Sequence, residues 1–259
     1  MSPSKFAIIT GASSGIGLEI AKLAAADGYD LLVAADTPFV NAAAGLQDLG
    51  TKVTQIEADL ATEQGVRQLL DAVGGREVDV LVANAGHGLG GGFLDQSFDD
   101  WRHVVDTNIT GTLLLIQPVL KKMVARGEGR VLIVGSIAGH VAGSFHAVYN
   151  GSKAFIDSFA AAIGNEIKDS GVTITCLKPG ATETEFFHRA DMDDTKVGQA
   201  KKADPADTAK TGWAAMLKGE HAVVDGWMNK ASVLASGVLP ESVTAEMHRK
   251  QAEPGSGKE

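Results

Sequence analysis

Tyr149 and Lys153 are the side chains whose types and spacing most directly suggest proton transfer. They stand four positions apart in a predicted helix, so both side chains lie on one helix face, one turn apart. A free tyrosine is only about 0.1% phenolate at pH 7. One ammonium about 4 Å away, at an effective dielectric of about 20, would shift that pKa by about 3 units. The pair could therefore exchange a proton with a bound substrate, although an isolated Tyr and Lys at this spacing could also be a surface contact.

A glycine-rich turn follows the first apolar run of the chain. Gly11, Gly15 and Gly17 form a GxxxGxG pattern that leads into an alanine-rich helix. Gly11 and Gly15 would let the backbone turn beside a pyrophosphate at the positive end of that helix, and Gly17 would let the helix pack closely on a strand. This placement favours a dinucleotide-binding turn, whereas the simpler alternative is a plain strand-to-helix corner.

The segment Thr10-Gly11-Ala12-Ser13-Ser14-Gly15-Ile16-Gly17 resembles the TGxxxGIG element of the short-chain dehydrogenase/reductase superfamily. Further family elements follow in order over about Lys5 to Asp225. Asn84-Ala85-Gly86 is similar to the NNAG element, with Ala83 replacing its first Asn. The resemblance implies that a nicotinamide dinucleotide contacts Gly11, Ser13, Ser14, Gly15, Ile16, Gly17, Asp36, Asp59, Leu60, Asn84, Ala85, Gly86, Tyr149, Lys153, Pro179, Gly180, Thr182 and Thr184. Outside the family pattern, Asp59 could equally be a capping or surface residue.

The same resemblance assigns four catalytic positions. Ser136 lies 13 residues before Tyr149, at the end of the fifth predicted strand, and Asn108 lies in the helix after the fourth. On this basis Tyr149 is the general base in alcohol oxidation and the acid in carbonyl reduction, and Lys153 lowers its pKa and holds the ribose. Ser136 stabilises the substrate oxygen, and Asn108 holds a water that relays the proton.

Asp36 is the residue from which we predict whether the protein prefers NAD or NADP. It ends the second predicted strand, 19 residues after Gly17, where an acid in such folds binds the adenosine ribose hydroxyls and repels a 2′-phosphate. No arginine stands in this region of the sequence, so NAD is favoured and NADP remains possible. A solvent-facing turn is the alternative reading of Asp36. Two other functions stay open: an NADPH-dependent carbonyl reductase, and a non-catalytic dinucleotide-responsive binding protein.

Short apolar runs alternate with helical segments, which predicts an α/β fold: a doubly wound, Rossmann-like, seven-stranded parallel sheet with helices on both faces in a single domain. Predicted strands are Phe6 to Thr10, Leu31 to Ala35, Lys52 to Glu57, Val78 to Ala83, Arg130 to Val134, Val172 to Leu177 and Ala222 to Asp225. Predicted helices are Gly17 to Asp27, Thr62 to Val73, Phe98 to Arg126, Tyr149 to Asp169 and Pro205 to Lys218, with a weaker one from Thr37 to Leu49. The catalytic domain spans residues 1–251, including a helical extension over 226–251, and a flexible tail covers 252–259.

Composition restricts the partners. The 259 residues carry 23 Lys and Arg against 32 Asp and Glu, a formal net charge of −9, which disfavours nucleic acid and anionic membranes. The single cysteine, Cys176, fits a reducing compartment, and no signal or spanning segment is found, so a cytoplasmic protein is expected. Its seven histidines suggest no metal site. The expected partner is a small-molecule alcohol or ketone, and the resemblance implies a homodimer or homotetramer.

Three segments are expected to form the substrate mouth: His87 to Gln96, Ile137 to Val148, and Glu185 to Ala200. The first is glycine-rich and can move or leave space. The third resembles the family's variable lid, and its aromatic start favours a partly apolar substrate.

Overall fold

The fold is built on one parallel sheet of seven strands in the order β3-β2-β1-β4-β5-β6-β7. The computed structural model describes residues 4–39, 42, 45–46 and 50–258. The strands are β1 (Phe6–Thr10), β2 (Asp30–Ala35), β3 (Val53–Glu57), β4 (Val80–Ala83), β5 (Gly129–Val134), β6 (Val172–Lys178) and β7 (Ala222–Val224). The predicted seven-stranded, doubly wound sheet is confirmed, with each strand within two residues of its expected bounds.

Helices cover both faces of this sheet. They are α1 (Gly15–Ala26), α2 (Glu63–Ala72), α3 (Phe98–Val105), α4 (Thr112–Arg126), α5 (Ala147–Glu166), α6 (Phe186–Arg189), α7 (Lys196–Gln199), α8 (Pro205–Lys218), α9 (Trp227–Ser236) and α10 (Glu241–Ala252). Most of the weaker helix predicted from Thr37 to Leu49 lies outside the described residues. Among the helices described, none is long and apolar enough to cross a membrane.

The continuous apolar runs of the strands supply two cores. Side chains alternate between the faces of a strand, so Ile8 joins one cluster with Leu115 of α4, whereas Ile9 joins another with Ile20 of α1. The strand order reverses between β1 and β4, which both pair with parallel neighbours. Loops leaving the carboxyl ends of β1 and β4 therefore diverge and open a crevice at that edge of the sheet.

The long helix predicted from Phe98 to Arg126 is interrupted. Between α3 and α4 the backbone forms a π-helical segment, Asp106–Gly111, which contains Asn108. A Cβ atom on Gly111 would lie 1.9 Å from the Leu60 carbonyl oxygen, so glycine is needed where this segment meets the loop after β3. Single-turn π segments of this kind often lie at functional sites.

The tail predicted to be flexible, residues 252–259, forms defined contacts in the structure as far as Gly257. Ala252 is fully buried. The Ser256 hydroxyl accepts a hydrogen bond from the Lys196 backbone at 3.1 Å, and the Gly257 amide donates to the Asp194 carbonyl at 2.9 Å. The chain end therefore packs against the segment that carries α7, a tertiary contact that its small and charged composition does not reveal.

Candidate active site

A cavity of about 780 Å³ opens at the carboxyl ends of the strands. Of the sequence-predicted site residues, it is lined by Gly11, Ser13, Ser14, Gly15, Ile16, Asp36, Asp59, Leu60, Asn84, Ala85, Gly86, Ser136, Tyr149, Lys153, Pro179, Gly180, Thr182 and Thr184. Gly17 and Asn108 are absent from that lining and lie behind it. A Cβ on Gly17 would come within 2.2 Å of the Gly11 carbonyl oxygen, so Gly17 supports the turn from beneath.

The glycine turn is held open by its neighbours. Gly11 and Gly15 have φ angles of 64° and 55°, in the left-handed region that favours glycine. The Asn84 side-chain amide donates to the Thr10 carbonyl at 2.9 Å and to the Gly11 carbonyl at 3.2 Å. These bonds tie the end of β1 to the end of β4 and leave the first backbone N–H groups of α1 facing the cavity region, where an anionic group is favoured.

Ser136, Tyr149 and Lys153 meet at the end of β5. Tyr149 and Lys153 are 8% and 6% exposed, on the face of α5 that packs against the sheet. Ser136 lies on the same wall of the cavity as Tyr149 and lowers the pKa of the Tyr149 phenol. The Lys153 amine donates to the Val134 carbonyl at 2.8 Å and lies 5.8 Å from the centre of the Tyr149 ring. A hydroxyl, a phenol and an amine are therefore gathered on one wall of the cavity.

The pKa of Tyr149 departs from the sequence-based expectation. Burial raises the pKa of Tyr149 to about 12, hydrogen bonding with Ser136 lowers it in part, and the Asp157 charge raises it further. Burial also lowers the pKa of Lys153 to about 8, against the opposing charge of Asp157. The expected lowering of the tyrosine pKa by Lys153 is thus corrected, because burial disfavours the phenolate and the ammonium alike.

Asp157 is a buried carboxylate that the sequence reasoning missed. It lies one turn beyond Lys153 on α5 and is 8% exposed. One oxygen lies 3.4 Å from both the Lys178 amine and the His140 ring, and the other accepts from the Cys176 thiol at 3.4 Å. The spacing of Tyr149, Lys153 and Asp157, at steps of four, was the signal that could have identified it.

Asn108 lies behind the loop that follows β4. Its side-chain oxygen accepts from the His87 amide at 2.8 Å, and its nitrogen donates to the His87 carbonyl and to the Ser152 hydroxyl, each at 2.9 Å. Both amide hydrogens are therefore used within the protein. The geometry makes Asn108 a residue that fixes the loop at Gly86, whose Cβ position would lie 3.4 Å from both the Asn108 oxygen and the Lys153 amine.

His146 lies flat against Tyr149. The two ring centres are 4.4 Å apart with planes at 17°, and His146 is almost fully buried. Burial lowers the pKa of His146 to about 3, so the imidazole is neutral at physiological pH. It therefore holds the orientation of the Tyr149 ring through stacking without adding a charge beside it.

The predicted lid, 185–200, is packed against the glycine-rich loop after β4. A Cβ on Gly88 would lie 2.4 Å from the Phe186 ring, and one on Gly90 would lie 2.7 Å from Met192. The Gly90 amide donates to the Ala190 carbonyl at 2.7 Å. These glycines therefore provide space for the lid, and the C-terminal extension completes the same wall with Ser232, Leu239 and Met247.

Asp36 carries an ion pair that the sequence did not indicate. Arg189, at the end of α6, directs its guanidinium at both carboxylate oxygens, with Nη1 3.3 Å from Oδ1 and Nη2 bonded to Oδ2. The sequence has no arginine close to Asp36, but the fold brings Arg189 against it. The two residues are 153 positions apart, so no local spacing could have identified the pair. Within the described ranges, no cluster of three or more His, Cys, Asp or Glu could hold a metal ion.

Comparisons with known proteins agree with this arrangement. The family model for short chain dehydrogenase matches residues 5–195. An uncharacterized oxidoreductase of Staphylococcus saprophyticus is 29% identical, over 85% of this chain and 94% of its own. An actinorhodin polyketide ketoreductase with NADPH is 28% identical, with a TM-score of 0.74 over 86% of this chain and 95% of its own. A short chain dehydrogenase/reductase of Burkholderia phymatum in complex with NAD, 22% identical, shares the fold with a TM-score of 0.81 over 89% of this chain and 92% of its own.

The family match covers well over half of the chain, from β1 to the lid. It includes the glycine turn, the end of β4 and the Ser136, Tyr149 and Lys153 wall of the cavity. The chain belongs to the short-chain dehydrogenase/reductase family of oxidoreductases.

Proposed function

We propose that this protein transfers a hydride between a nicotinamide dinucleotide, with NAD favoured, and a secondary alcohol or its ketone. The observation that carries the proposal is the meeting of Tyr149, Lys153 and Ser136 on one wall of the cavity whose floor is the glycine turn. The same cavity can therefore bind a diphosphate and transfer a proton to or from the substrate oxygen.

The residues present fit such a dinucleotide. The turn at Gly11 and Gly15 offers backbone N–H groups at the start of α1 to a pyrophosphate, and Gly86 keeps the approach to Lys153 clear of any side chain. Asp36 would bind the adenosine ribose, Asp59 and Leu60 the adenine side, and Pro179, Gly180, Thr182 and Thr184 the carboxamide side. When bound, the nicotinamide ring supplies or accepts the hydride.

Tyr149 is the proton-transferring group in this proposal. Its raised pKa keeps it a neutral phenol near pH 7, the form that donates a proton when a carbonyl is reduced. In alcohol oxidation the minor, deprotonated form of the same oxygen accepts the alcohol proton and returns to the neutral phenol. Ser136 hydrogen-bonds the substrate oxygen, and Lys153 supplies positive charge beside the phenol and holds the ribose. Asn108, whose side chain is bonded to His87 and Ser152, supports the loop after β4 instead of holding the proton-relay water expected from the sequence.

The substrate class follows from the cavity wall. Phe186, Met192, Leu239 and Met247 contribute apolar surface around the reacting centre, and the acidic residues of the lid disfavour a strongly anionic molecule. A partly apolar alcohol or ketone therefore fits best. The solved relative that holds NADPH supports the second candidate, an NADPH-dependent carbonyl reductase. A non-catalytic dinucleotide-binding protein would be expected to lack part of the Ser, Tyr and Lys set, which this chain retains in full.

Assembly and location are proposed from the exposed apolar residues and the single cysteine. Leu114 and Val124 of α4 and Phe155 of α5 are partly exposed apolar residues, which supports pairing of these helices in a homodimer or homotetramer. Cys176 is a buried free thiol, which supports a reducing compartment such as the cytoplasm.

A screen tests the proposal. Secondary alcohols and ketones of graded size are incubated with each oxidised or reduced cofactor, and nicotinamide absorbance is followed. Turnover of at least one partly apolar pair, with a higher kcat/KM for NAD(H), supports the proposal. Faster turnover with NADP(H) would favour the carbonyl reductase, and cofactor binding without turnover of any pair would favour the binding protein.

A further inference from the structure

The ion pair between Asp36 and Arg189 joins two parts of the cavity with different expected tasks. Asp36 directly follows β2, at the ribose end of the proposed dinucleotide site, whereas Arg189 belongs to the lid. Both residues line the same cavity. Their side chains are 34% and 38% exposed, so the pair is accessible to a ligand rather than sealed in the core.

Arg189 is held at this position by the packing of its segment. Phe187, Ala190 and Met192 on either side of it are buried in a small apolar cluster. The Arg189 amide donates to the Glu185 carbonyl at 2.9 Å, and the neighbouring Ala190 carbonyl accepts from Gly90. The guanidinium therefore projects from an anchored backbone, which reduces the conformational entropy lost when it binds a ligand.

The groups around Asp36 make this corner of the cavity more favourable for a phosphate than a lone carboxylate would be. Arginine presents a planar fork of donors that matches a carboxylate or a phosphate with two parallel hydrogen bonds. The Thr37 hydroxyl, next in sequence, donates to the Ser13 hydroxyl at 2.9 Å, so two further polar groups stand at this corner of the cavity. The positive charge of Arg189 also acts on His87. The pKa of His87 is lowered mainly by burial, and then by the nearby His103 and Arg189.

We propose that Arg189 is a specificity-determining residue for the dinucleotide: its guanidinium offsets the repulsion that Asp36 exerts on a 2′-phosphate, so the protein binds NADP as well as NAD. This inference rests on the proposed function and deepens it. With a 2′-hydroxyl, the ligand competes with Arg189 for Asp36. With a 2′-phosphate, the guanidinium gains a second anion to bind, and the preference for NAD becomes small.

Binding of adenosine nucleotides tests this without turnover. Calorimetric titration of 2′,5′-ADP and of 5′-AMP compares ligands that differ at the 2′ position, for the unmodified protein and Arg189→Met. We expect Arg189→Met to weaken 2′,5′-ADP binding by about tenfold or more while changing 5′-AMP binding by less than about threefold. Arg67→Met is the matched control, because Arg67 forms an exposed ion pair with Glu63 on α2 away from the cavity, and it should change neither affinity.

The outcomes separate this inference from the proposed function. If the unmodified protein binds neither nucleotide, the dinucleotide site itself is refuted. If it binds both and Arg189→Met leaves their affinity ratio unchanged, or weakens both equally, only the specificity role is overturned. Arg189→Lys keeps the charge without the fork and should bind 2′,5′-ADP with intermediate affinity. A lysine variant that binds it no better than Arg189→Met, with unchanged circular dichroism, would also overturn the role.

Discussion

Asp157 lies one helical turn beyond Lys153 on α5, and its negative charge raises the pKa of that lysine against the effect of burial. The same carboxylate forms contacts of 3.4 Å with Lys178 and His140 beneath the cavity. Asp157 therefore connects the amine on the cavity wall to a second cation on β6.

Asp157→Asn should destabilise the protein by about 2 kcal/mol, because it removes the charge partner of Lys178, whose side chain is only 15% exposed. The pKa of Lys153 should fall further below about 8, since the group that raises it is removed. Urea unfolding measures the first effect. Asp207→Asn is the control, because Asp207 and Lys210 form an exposed pair, and its change should stay within about 0.5 kcal/mol. Equal stability of the two variants would contradict the prediction.

Lys153 should make stability depend on pH. Its pKa is lowered to about 8 in the folded protein from the usual 10.5, so between these values the unfolded chain binds more protons and stability rises with pH. From pH 7 to about pH 9.5 Lys153 contributes a gain of about 2 kcal/mol, part of which Cys176 offsets because burial raises the pKa of its thiol to about 12. Tyr149 opposes this only above pH 10, where an unfolded tyrosine ionises and the folded one does not.

Lys153→Met keeps a side chain of similar length without a titrating group. Urea unfolding of both proteins at pH 7 and about pH 9.5 should show the gain in the free energy of unfolding only in the unmodified protein. The same pH dependence in both would mean that Lys153 retains its ordinary pKa in the folded state.

Tyr149→Phe should reduce turnover about 10³-fold while leaving NADH binding intact, because it removes the phenol proton and keeps the stack on His146. Stopped-flow rates and fluorescence titration of NADH measure the two effects. The chain contains one other tyrosine, Tyr29, which packs edge-on against Trp213, and Tyr29→Phe is the matched control. A Tyr149→Phe protein with a near-normal rate would remove this residue from the mechanism.

Asp36→Ala should shift the ratio of NADPH affinity to NADH affinity toward NADPH by about tenfold, since the repulsive carboxylate is lost and Arg189 is released from its ion pair. Fluorescence titrations with both cofactors provide the ratio. Asp71→Ala on the exposed face of α2 controls for the change in net charge. An affinity ratio that is the same in Asp36→Ala and in the unmodified protein would mean that Asp36 sets no preference.

Gly90→Ala should displace the lid, because its Cβ would lie 3.0 Å from the Ala190 carbonyl oxygen and 2.7 Å from Met192. Overpacking of this kind costs about 1–3 kcal/mol, and the substrate KM should rise more than kcat falls. Steady-state kinetics and limited proteolysis of the lid measure both consequences. Gly164→Ala, where the nearest atom is 3.8 Å away, should change neither.

The local sequence pattern was sufficient to predict the sheet and most of the residues that line the cavity. Continuous apolar runs such as β1 require cover on both faces, which permits few arrangements other than parallel strands with crossover helices. Loops after such strands share one edge of the sheet, so Gly11, Asn84 and Ser136 converge wherever the strands form. The step of four between Tyr149 and Lys153 needs only a helix.

Only the tertiary structure determines how deeply the site side chains are buried and which charged residues distant in the sequence form pairs. The pKa of Tyr149 depends on how completely α5 and the lid exclude water from it, which a linear sequence does not express. Asn108 faces His87 rather than the cavity because the helix that carries it contains a π segment. The pairing of Arg189 with Asp36 exists only because the lid folds over the end of β2, and two charges so far apart in the chain meet through packing that no local spacing encodes.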